Sequence, residues 1–352
     1  MSADAPDPRA AGERSARDMC LVTGATGFIG GHLAERLARE GHRVRCLVRP
    51  SSDTTRLRRA GLELATGDLT DAASLRAAAR GCRYVVHCGA LVSDWATVPE
   101  IRRANVTGTR NALEAALAAS AERFIHISTT DVYGYPGRPA RDERHVATGF
   151  SNWYAETKRE AETEVRRVEE RFGLDAVILR PASVYGPGSK SVVGDMARAL
   201  RAGQMLLVDG GRAIAGLLYV ENLVDAIVLA LHNDGARGQV FNLTDGLAIT
   251  WRRFLADLAA GLGYPEPRWS LPYGVAFGVA LALEHGYRLV RRTTGLTTRP
   301  LLSRQAVHVL GRDQDFSSHR AGAVLGWVPR VSYEEGLALT LAWLGEEFLP
   351  HA

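Results

Sequence analysis

Tyr154 and Lys158 stand four residues apart, the spacing that sets two side chains on one face of a helix, a turn apart. An ammonium beside a phenol favours the phenolate, so Lys158 is expected to draw the Tyr154 pKa below its ordinary value of about 10. A phenol tuned in this way can give or take the proton that accompanies hydride transfer at a carbon–oxygen centre. The Tyr-x-x-x-Lys pattern alone is common on amphipathic helices and gains its meaning from company. Upstream, Ile127-Ser128-Thr129-Thr130 ends an apolar run with hydroxyls able to bind and orient a substrate oxygen. Asn105 opens a helical stretch after the preceding strand and can fix that helix or hold a water in a proton relay.

Hydride chemistry needs a carrier, and Gly24-Ala25-Thr26-Gly27-Phe28-Ile29-Gly30 supplies a cradle for one. The loop follows an apolar strand and opens a helix, the context in which a glycine-rich loop binds a dinucleotide. Gly24 permits the tight turn, Gly27 lets backbone approach a pyrophosphate, and Gly30 lets the helix pack close to the sheet. The phosphates then rest on the free N–H groups at the helix start. Arg49 follows the second strand, where NAD-selective folds usually carry an acid; a guanidinium attracts a 2′-phosphate instead, with Ser51 and Ser52 as further donors. NADP(H) is therefore favoured over NAD(H). Asp68 ends the third strand and can accept from the adenine amino group, or else close a turn.

These residues need a frame, and the pattern around them gives one. Short apolar runs at Met19–Thr23, Arg43–Val48, Glu63–Thr66, Tyr84–His87, Arg123–Ser128 and Ala176–Arg180 alternate with helical stretches such as His32–Glu40, Ser74–Ala79 and Ala104–Ala119. That rhythm predicts an α/β fold, a doubly wound parallel sheet of Rossmann type with ligand-binding loops along one edge. Beyond Gly188 the rhythm loosens into helices at Ser189–Arg201 and Val220–Leu231, a Gly-rich turn within Leu206–Leu218, and a late strand at Val240–Asn242. The expected organisation is a disordered tail over residues 1–18 and a nucleotide-binding domain over 19–188, to which 217–245 return. Residues 189–216 and 246–352 then form a smaller, mainly helical substrate domain.

Composition excludes several alternatives. A formal charge of +4 on 352 residues, with arginines scattered, is no nucleic-acid footprint. Cys20, Cys46, Cys82 and Cys88 form no C-x-x-C pair and read as buried thiols of a reducing compartment, so the cytoplasm is expected and no metal site is. His87, His126 and His308 lack ligand spacing and read as core or surface residues. The apolar run Ser270–Val290 is broken by Glu284, His285 and Arg288, too soon for a spanning helix. A core helix or cavity lid is its main reading, with interfacial membrane contact the lesser one.

Taken together, the chain resembles the extended short-chain dehydrogenases/reductases, the group of the epimerases/dehydratases and 3β-hydroxysteroid dehydrogenases. The resemblance runs through Thr23–Gly30, Gly67-Asp68-Leu69, His87-Cys88-Gly89-Ala90, Asn105–Thr109, Ser128–Gly134, Tyr154–Lys158, Arg180–Gly188 and Tyr219-Val220-Glu221-Asn222. It implies that Thr129 completes a triad with Tyr154 and Lys158, supported by Asn105. It also implies cofactor contacts from Gly24, Thr26, Gly27, Phe28, Ile29, Arg49, Asp68, Leu69, Gly89, Ala90, Tyr154, Lys158, Pro181, Ser183 and Val184. Homodimers built on the Tyr/Lys helix are common among relatives, so a homodimer is expected. Nucleotide-sugar members often carry Arg-Asp-Phe where this chain has Ala215-Gly216-Leu217-Leu218, which removes a phosphate-binding cation. Val92-Ser93-Asp94-Trp95, Leu271–Leu283, Leu310–Asp313 and Leu325–Arg330 instead resemble the hydroxysteroid-dehydrogenase branch, which handles lipophilic alcohols and ketones. A small-molecule oxidoreductase is thus expected; a nucleotide-sugar epimerase or dehydratase and a non-catalytic NADP-binding sensor are the rivals.

Overall fold

The structure, a computed structural model, describes residues 18–93, 95–134, 141–145, 152–294 and 302–351, with only the backbone described for 288–294 and 351. Its frame is a seven-stranded sheet of β1 (Met19–Thr23), β2 (Arg43–Val48), β3 (Glu63–Thr66), β4 (Tyr84–His87), β5 (Arg123–Ile127), β6 (Ala176–Pro181) and, late in the chain, β10 (Val240–Leu243). All pairings are parallel, and the spatial order is β10-β6-β5-β4-β1-β2-β3. Strands covered on both faces need apolar side chains in both directions, and β1, β4 and β5 are buried at every position. The order reverses between β1 and β4, which opens a crevice at their carboxyl ends.

The helices α1 (Phe28–Arg39), α2 (Thr55–Arg59), α3 (Ala72–Ala79), α4 (Val98–Arg102), α5 (Gly108–Ala118) and α6 (Trp153–Phe172) alternate with these strands. On one face, Leu33 and Leu37 of α1 pack with Leu223, Val224 and Ile227 of α8 (Val220–His232). On the other, Leu75, Leu113 and Val165 of α3, α5 and α6 cover Phe124. Leu33 and Leu37 are fully buried, so truncating either to Ala costs about 2–5 kcal/mol. Helix α1 begins at Phe28, a turn before the expected His32, because Gly30 and Gly31 mask its apolar period while packing against the loop.

The remaining elements form a second layer beside the crevice. Strands β7 (Ser183–Tyr185) and β9 (Leu217–Tyr219) pair, as do β8 (Leu206–Val208) and β11 (Trp269–Leu271). Around them lie α7 (Asp195–Arg201), α9 (Trp251–Leu262), α10 (Tyr273–Thr294), α11 (Arg304–Gly311), α12 (His319–Leu325) and α13 (Tyr333–Trp343). Tyr185, Trp251, Phe254 and Tyr333 centre a separate aromatic cluster there. Helix α12 departs from the expected grouping: Ala321, Leu325 and Trp327 join the core beside α8, and Trp327 donates to Asn222 O at 2.9 Å. Of the expected tail only Asp18 is described, and it is ion-paired with Arg83 rather than loose; residues 1–17 lie outside the described residues.

Candidate active site

The glycine loop has the shape its sequence implies. Gly24 sits at φ +71°, and a Cβ there would lie 2.7 Å from Gly89 N, so the two glycines meet back to back. A Cβ on Gly30 would come within 2.4 Å of Gly24 O. Helix α1 takes Gly27 as N-cap, with no side chain to satisfy its first N–H groups, and Thr26 and Gly27 are exposed at the crevice. An uncapped helix start over a loop that Cβ atoms would fill fits the pyrophosphate of a dinucleotide. Phe28, Ile29, Leu69 and Ala90 are half-buried around it. Leu69 wedges against Gly89 and Gly108, and its carbonyl accepts from Asn111 at 2.8 Å.

At the far end, exposed Arg49 faces Asp68. Asp68 Oδ1 accepts from Thr70 N at 2.8 Å and Thr70 Oγ1 at 2.7 Å, so part of its carboxylate closes a turn. Those bonds, with lesser help from Arg49 and Arg103, hold its pKa below the ordinary carboxylate value. Pro181 is buried, and Ser183 and Val184 are half-buried where β6 passes into β7.

Beneath the crevice a buried hydrogen-bond chain ties the loop to the helices. Thr109 Oγ1 donates to Asn105 O at 2.6 Å, so it accepts from His87 Nε2 at 3.1 Å. His87 Nδ1 then accepts from Thr23 Oγ1 at 2.8 Å, and Thr23 accepts from Gly89 N at 3.2 Å. Burial holds His87 neutral, its pKa lowered to about 3. The Asn105 amide is fully engaged: Oδ1 accepts from Leu91 N at 2.7 Å, and Nδ2 donates to Leu91 O and Thr157 Oγ1, each at 3.2 Å. The predicted continuous helix over Ala104–Ala119 is interrupted here by a π-turn at Arg103–Thr107, which carries Asn105 between the strand-end loop and α6. Asn105 therefore fixes the helix; both ends of its amide are occupied by protein.

Thr129, Tyr154 and Lys158 gather at the end of β5. Asn152 caps α6 by accepting from Ala155 N at 2.7 Å, which starts the helix so that Tyr154 and Lys158 fall on the crevice side. The hydroxyls of the 127–130 run diverge. Ser128 Oγ donates to Glu162 Oε1 at 2.5 Å, away from the crevice, and Thr130 is buried. Thr129 Oγ1 accepts from Asp131 N at 3.2 Å, which leaves its own proton to donate.

Lys158 is 2% exposed, and its Nζ donates to Ile127 O at 2.6 Å and His126 Nε2 at 3.2 Å. Burial lowers its pKa to about 8, against an opposing pull from Glu162 and Cys88. His126 stacks on His87 at 5.6 Å and is held neutral by burial and by the Lys158 charge. Here the structure corrects the sequence reading. The Tyr154 phenol is pushed above its ordinary value, first by burial and then by the Asp131 carboxylate, not drawn down by Lys158. The physical reason is that burial and the neighbouring Asp131 charge both disfavour the phenolate, while the Lys158 Nζ is directed to Ile127 O and His126 Nε2.

Behind Lys158 lies a polar network that sequence reading missed. Arg180 binds Glu162 with two hydrogen bonds, Nε to Oε1 at 2.9 Å and Nη2 to Oε2 at 2.6 Å. Its Nη1 donates to Tyr133 Oη at 2.6 Å, and that phenol donates to Asn242 at 2.8 Å. Glu162 follows Lys158 by four residues on the same face, a signal that extended helical spacing could have given. Across the crevice, Gln305 of α11 donates to Asp131 Oδ2 at 2.9 Å and is bonded to Asn152. Among the described residues no group of His, Cys, Asp and Glu is placed to hold a metal ion, and no helix is long and apolar enough to cross a membrane.

This fold, with its uncapped glycine loop and a Thr-Tyr-Lys edge, defines a class of nucleotide-dependent oxidoreductases, and comparison with known proteins agrees. Residues 20–244 match the NAD dependent epimerase/dehydratase family; the chain belongs to it and is an NAD(P)-dependent enzyme of the extended short-chain dehydrogenase/reductase type. It is 33% identical over 338 residues to a 4-hydroxy-2-methyl-3-oxo-4-farnesyl-3,4-dihydroquinoline-1-oxide ketoreductase of Stigmatella aurantiaca, covering 94% of this chain and 98% of that protein. A 2-alkyl-3-oxoalkanoate reductase of Stenotrophomonas maltophilia is 30% identical, with 90% and 96% covered. The crystal structure of gox2253 superposes with a TM-score of 0.76 at 30% identity over 94% of this chain and 98% of that one. A UDP-glucose 4-epimerase of Thermotoga maritima reaches the same TM-score, 0.76, at 23% identity over 93% and 99%, a likeness of fold alone.

Proposed function

We propose that the protein is an NADP(H)-dependent ketoreductase, or alcohol dehydrogenase, interconverting a lipophilic ketone and its secondary alcohol. The observation that supports this reading is that the Lys158 Nζ donates to Ile127 O at the end of β5, two residues before Thr129, while Tyr154 stands one turn earlier on the same helix. Bound along that loop, the nicotinamide nucleotide supplies or accepts the hydride. Tyr154, a phenol held protonated by its surroundings, donates the proton to the carbonyl oxygen in the reductive direction. Thr129 keeps a free O–H with which to orient that oxygen. Two of the three Lys158 protons are committed to Ile127 and His126, which leaves one for a ribose hydroxyl. Asn105 supports the edge by clamping α6 to the loop after β4.

Arg49, exposed at the end of β2, supports NADP(H) over NAD(H). The lipophilic substrate class is supported by the two ketoreductase relatives and by Ala215-Gly216-Leu217-Leu218 standing where an Arg-Asp-Phe run would serve a nucleotide-sugar, which leaves no phosphate-binding cation there. Four free thiols, three of them buried, support a reducing, cytoplasmic setting. A homodimer completes the reading, with residues 19–188 and the returning 217–245 binding the cofactor and 189–216 and 246–352 binding the substrate.

The test pairs two measurements. Tyr154→Phe is expected to bind NADPH as the parent does and to lose turnover of a carbonyl panel by at least about a hundredfold. An active variant rules out the assignment. NADH binding more tightly than NADPH in fluorescence titration rules out the role given to Arg49.

A further inference from the structure

Helix α10 presents two unlike sides. Its inner side is committed: Ala276 and Ala280 are fully buried, and Glu284, 4% exposed, accepts from Arg304 N and Nε of α11, both at 2.9 Å. Tyr287 meets Trp95 edge-on at 4.8 Å. The outer side faces solvent, yet from Gly274 to Gly286 every exposed position is apolar or glycine except His285. Val275, Val279, Leu281 and Leu283 are 52%, 41%, 37% and 41% exposed, and Trp269, just ahead of the helix, is 73% exposed. The His285 Nδ1 turns back to Leu281 O at 2.9 Å. A surface helix of a soluble protein ordinarily shows charged and polar residues to water, and α6 does so with Glu156, Glu160 and Glu164 in ion pairs. An apolar face of this extent marks something that binds it.

Charge indicates what. Glu284 is the only acid between Glu266 and Asp313, a stretch with seven arginines, while the whole chain carries just +4. Three of them, Arg288, Arg291 and Arg292, fall in the last two turns of α10. An apolar face followed by a basic end is the composition of a helix lying in the interface of an anionic bilayer. A second copy of this helix offers these arginines no counter-charge, since its one acid, Glu284, is already bonded to Arg304.

We propose that the outer face of α10 docks the protein on an anionic lipid surface. The helix lies flat, since buried Glu284 and the charged end forbid spanning. Its inner neighbour α11 reaches the Asp131 carboxylate through Gln305, so the docked face adjoins the mouth of the crevice. Amphiphilic substrates then enter from the bilayer; that consequence alone rests on the ketoreductase reading, whereas the docking does not.

The experiment is flotation of the purified full-length protein with vesicles of phosphatidylcholine, with or without one-third phosphatidylglycerol. The protein is expected to float with the phosphatidylglycerol vesicles, less so as salt rises, and to stay behind with phosphatidylcholine alone. Val279→Asp combined with Leu283→Asp, both at exposed positions, is expected to weaken vesicle binding at least about tenfold while leaving NADPH binding and the unfolding midpoint unchanged. Three results overturn the proposal: no flotation with either vesicle, flotation unaffected by the two substitutions, or a solution dimer that the same substitutions dissociate in sedimentation velocity. Loss of ketone turnover with flotation intact would count against the reading of the active site and leave the docking standing.

Discussion

Replacing Glu162 by Gln tests how the site is held together. Glu162 accepts three hydrogen bonds, two from Arg180 and one from Ser128, and both charged side chains are nearly enclosed, at 8% and 13% exposure. Glutamine keeps the volume but turns one acceptor into a donor and leaves the guanidinium without its counter-charge. Breaking a buried pair in this way costs about 3–5 kcal/mol, because the remaining ion is desolvated and uncompensated. At about 2.1 cal/mol/K of unfolding entropy per residue, 352 residues give about 0.7 kcal/mol/K, so the melting midpoint should fall by about 4–7 °C. The assay is thermal unfolding followed by circular dichroism, with a urea series as the second probe. Glu162→Leu combined with Arg180→Met should recover most of the loss, since removing both ions leaves neither stranded. The same Glu→Gln change removes the charge that supports the Lys158 ammonium, so the pKa of Lys158 should drop below about 8. The corresponding limb of the turnover profile then moves to lower pH. A midpoint within 1 °C of the parent, or a double variant as damaged as the single one, would refute the reasoning.

Lys158 predicts a pH dependence of stability. Its folded pKa, about 8, lies below the ordinary 10.5, so the unfolded chain binds more protons between those values and the lysine's contribution to stability rises with pH across that window. Against Lys158→Met, which lacks the group, the parent should gain about 3 kcal/mol in urea unfolding from pH 8 to 10.5; a difference that is flat or falls would contradict the burial of an ammonium there. Gly30→Ala should cut NADPH affinity by about tenfold or more in fluorescence titration, since the new Cβ would sit 2.4 Å from Gly24 O and force the loop outward. Unchanged affinity would mean that the loop does not carry the pyrophosphate.

Much of the frame was legible in the sequence because its causes are local. A run such as Met19–Thr23 is apolar in both directions, Gly24 must turn at positive φ, and Tyr154 and Lys158 share a face by helical period alone. Those features need no knowledge of distant residues. The seven strands of the main sheet matched expectation to within a residue at their ends, with β5 stopping at Ile127 and β6 running on to Pro181, whereas the short β7, β8, β9 and β11 were not expected. What failed was decided by partners far along the chain. The 127–130 hydroxyls are equivalent in sequence, and only the position of Glu162 on α6 commits Ser128 and leaves Thr129 at the crevice. The Lys158 ammonium was expected to draw the Tyr154 phenol down, but its Nζ donates to Ile127 O and His126, and burial with the Asp131 carboxylate holds the phenol protonated. Helix α12 reads as part of the C-terminal region until Trp327 is seen to bond Asn222 in the first core. The outer face of α10 is apolar in sequence, but only its packing shows that this face meets solvent. Sequence determined which chemical groups this protein owns and the turns and helices that carry them; tertiary structure decided which of those groups are spent on one another and which remain to act, because that depends on contacts between residues far apart along the chain.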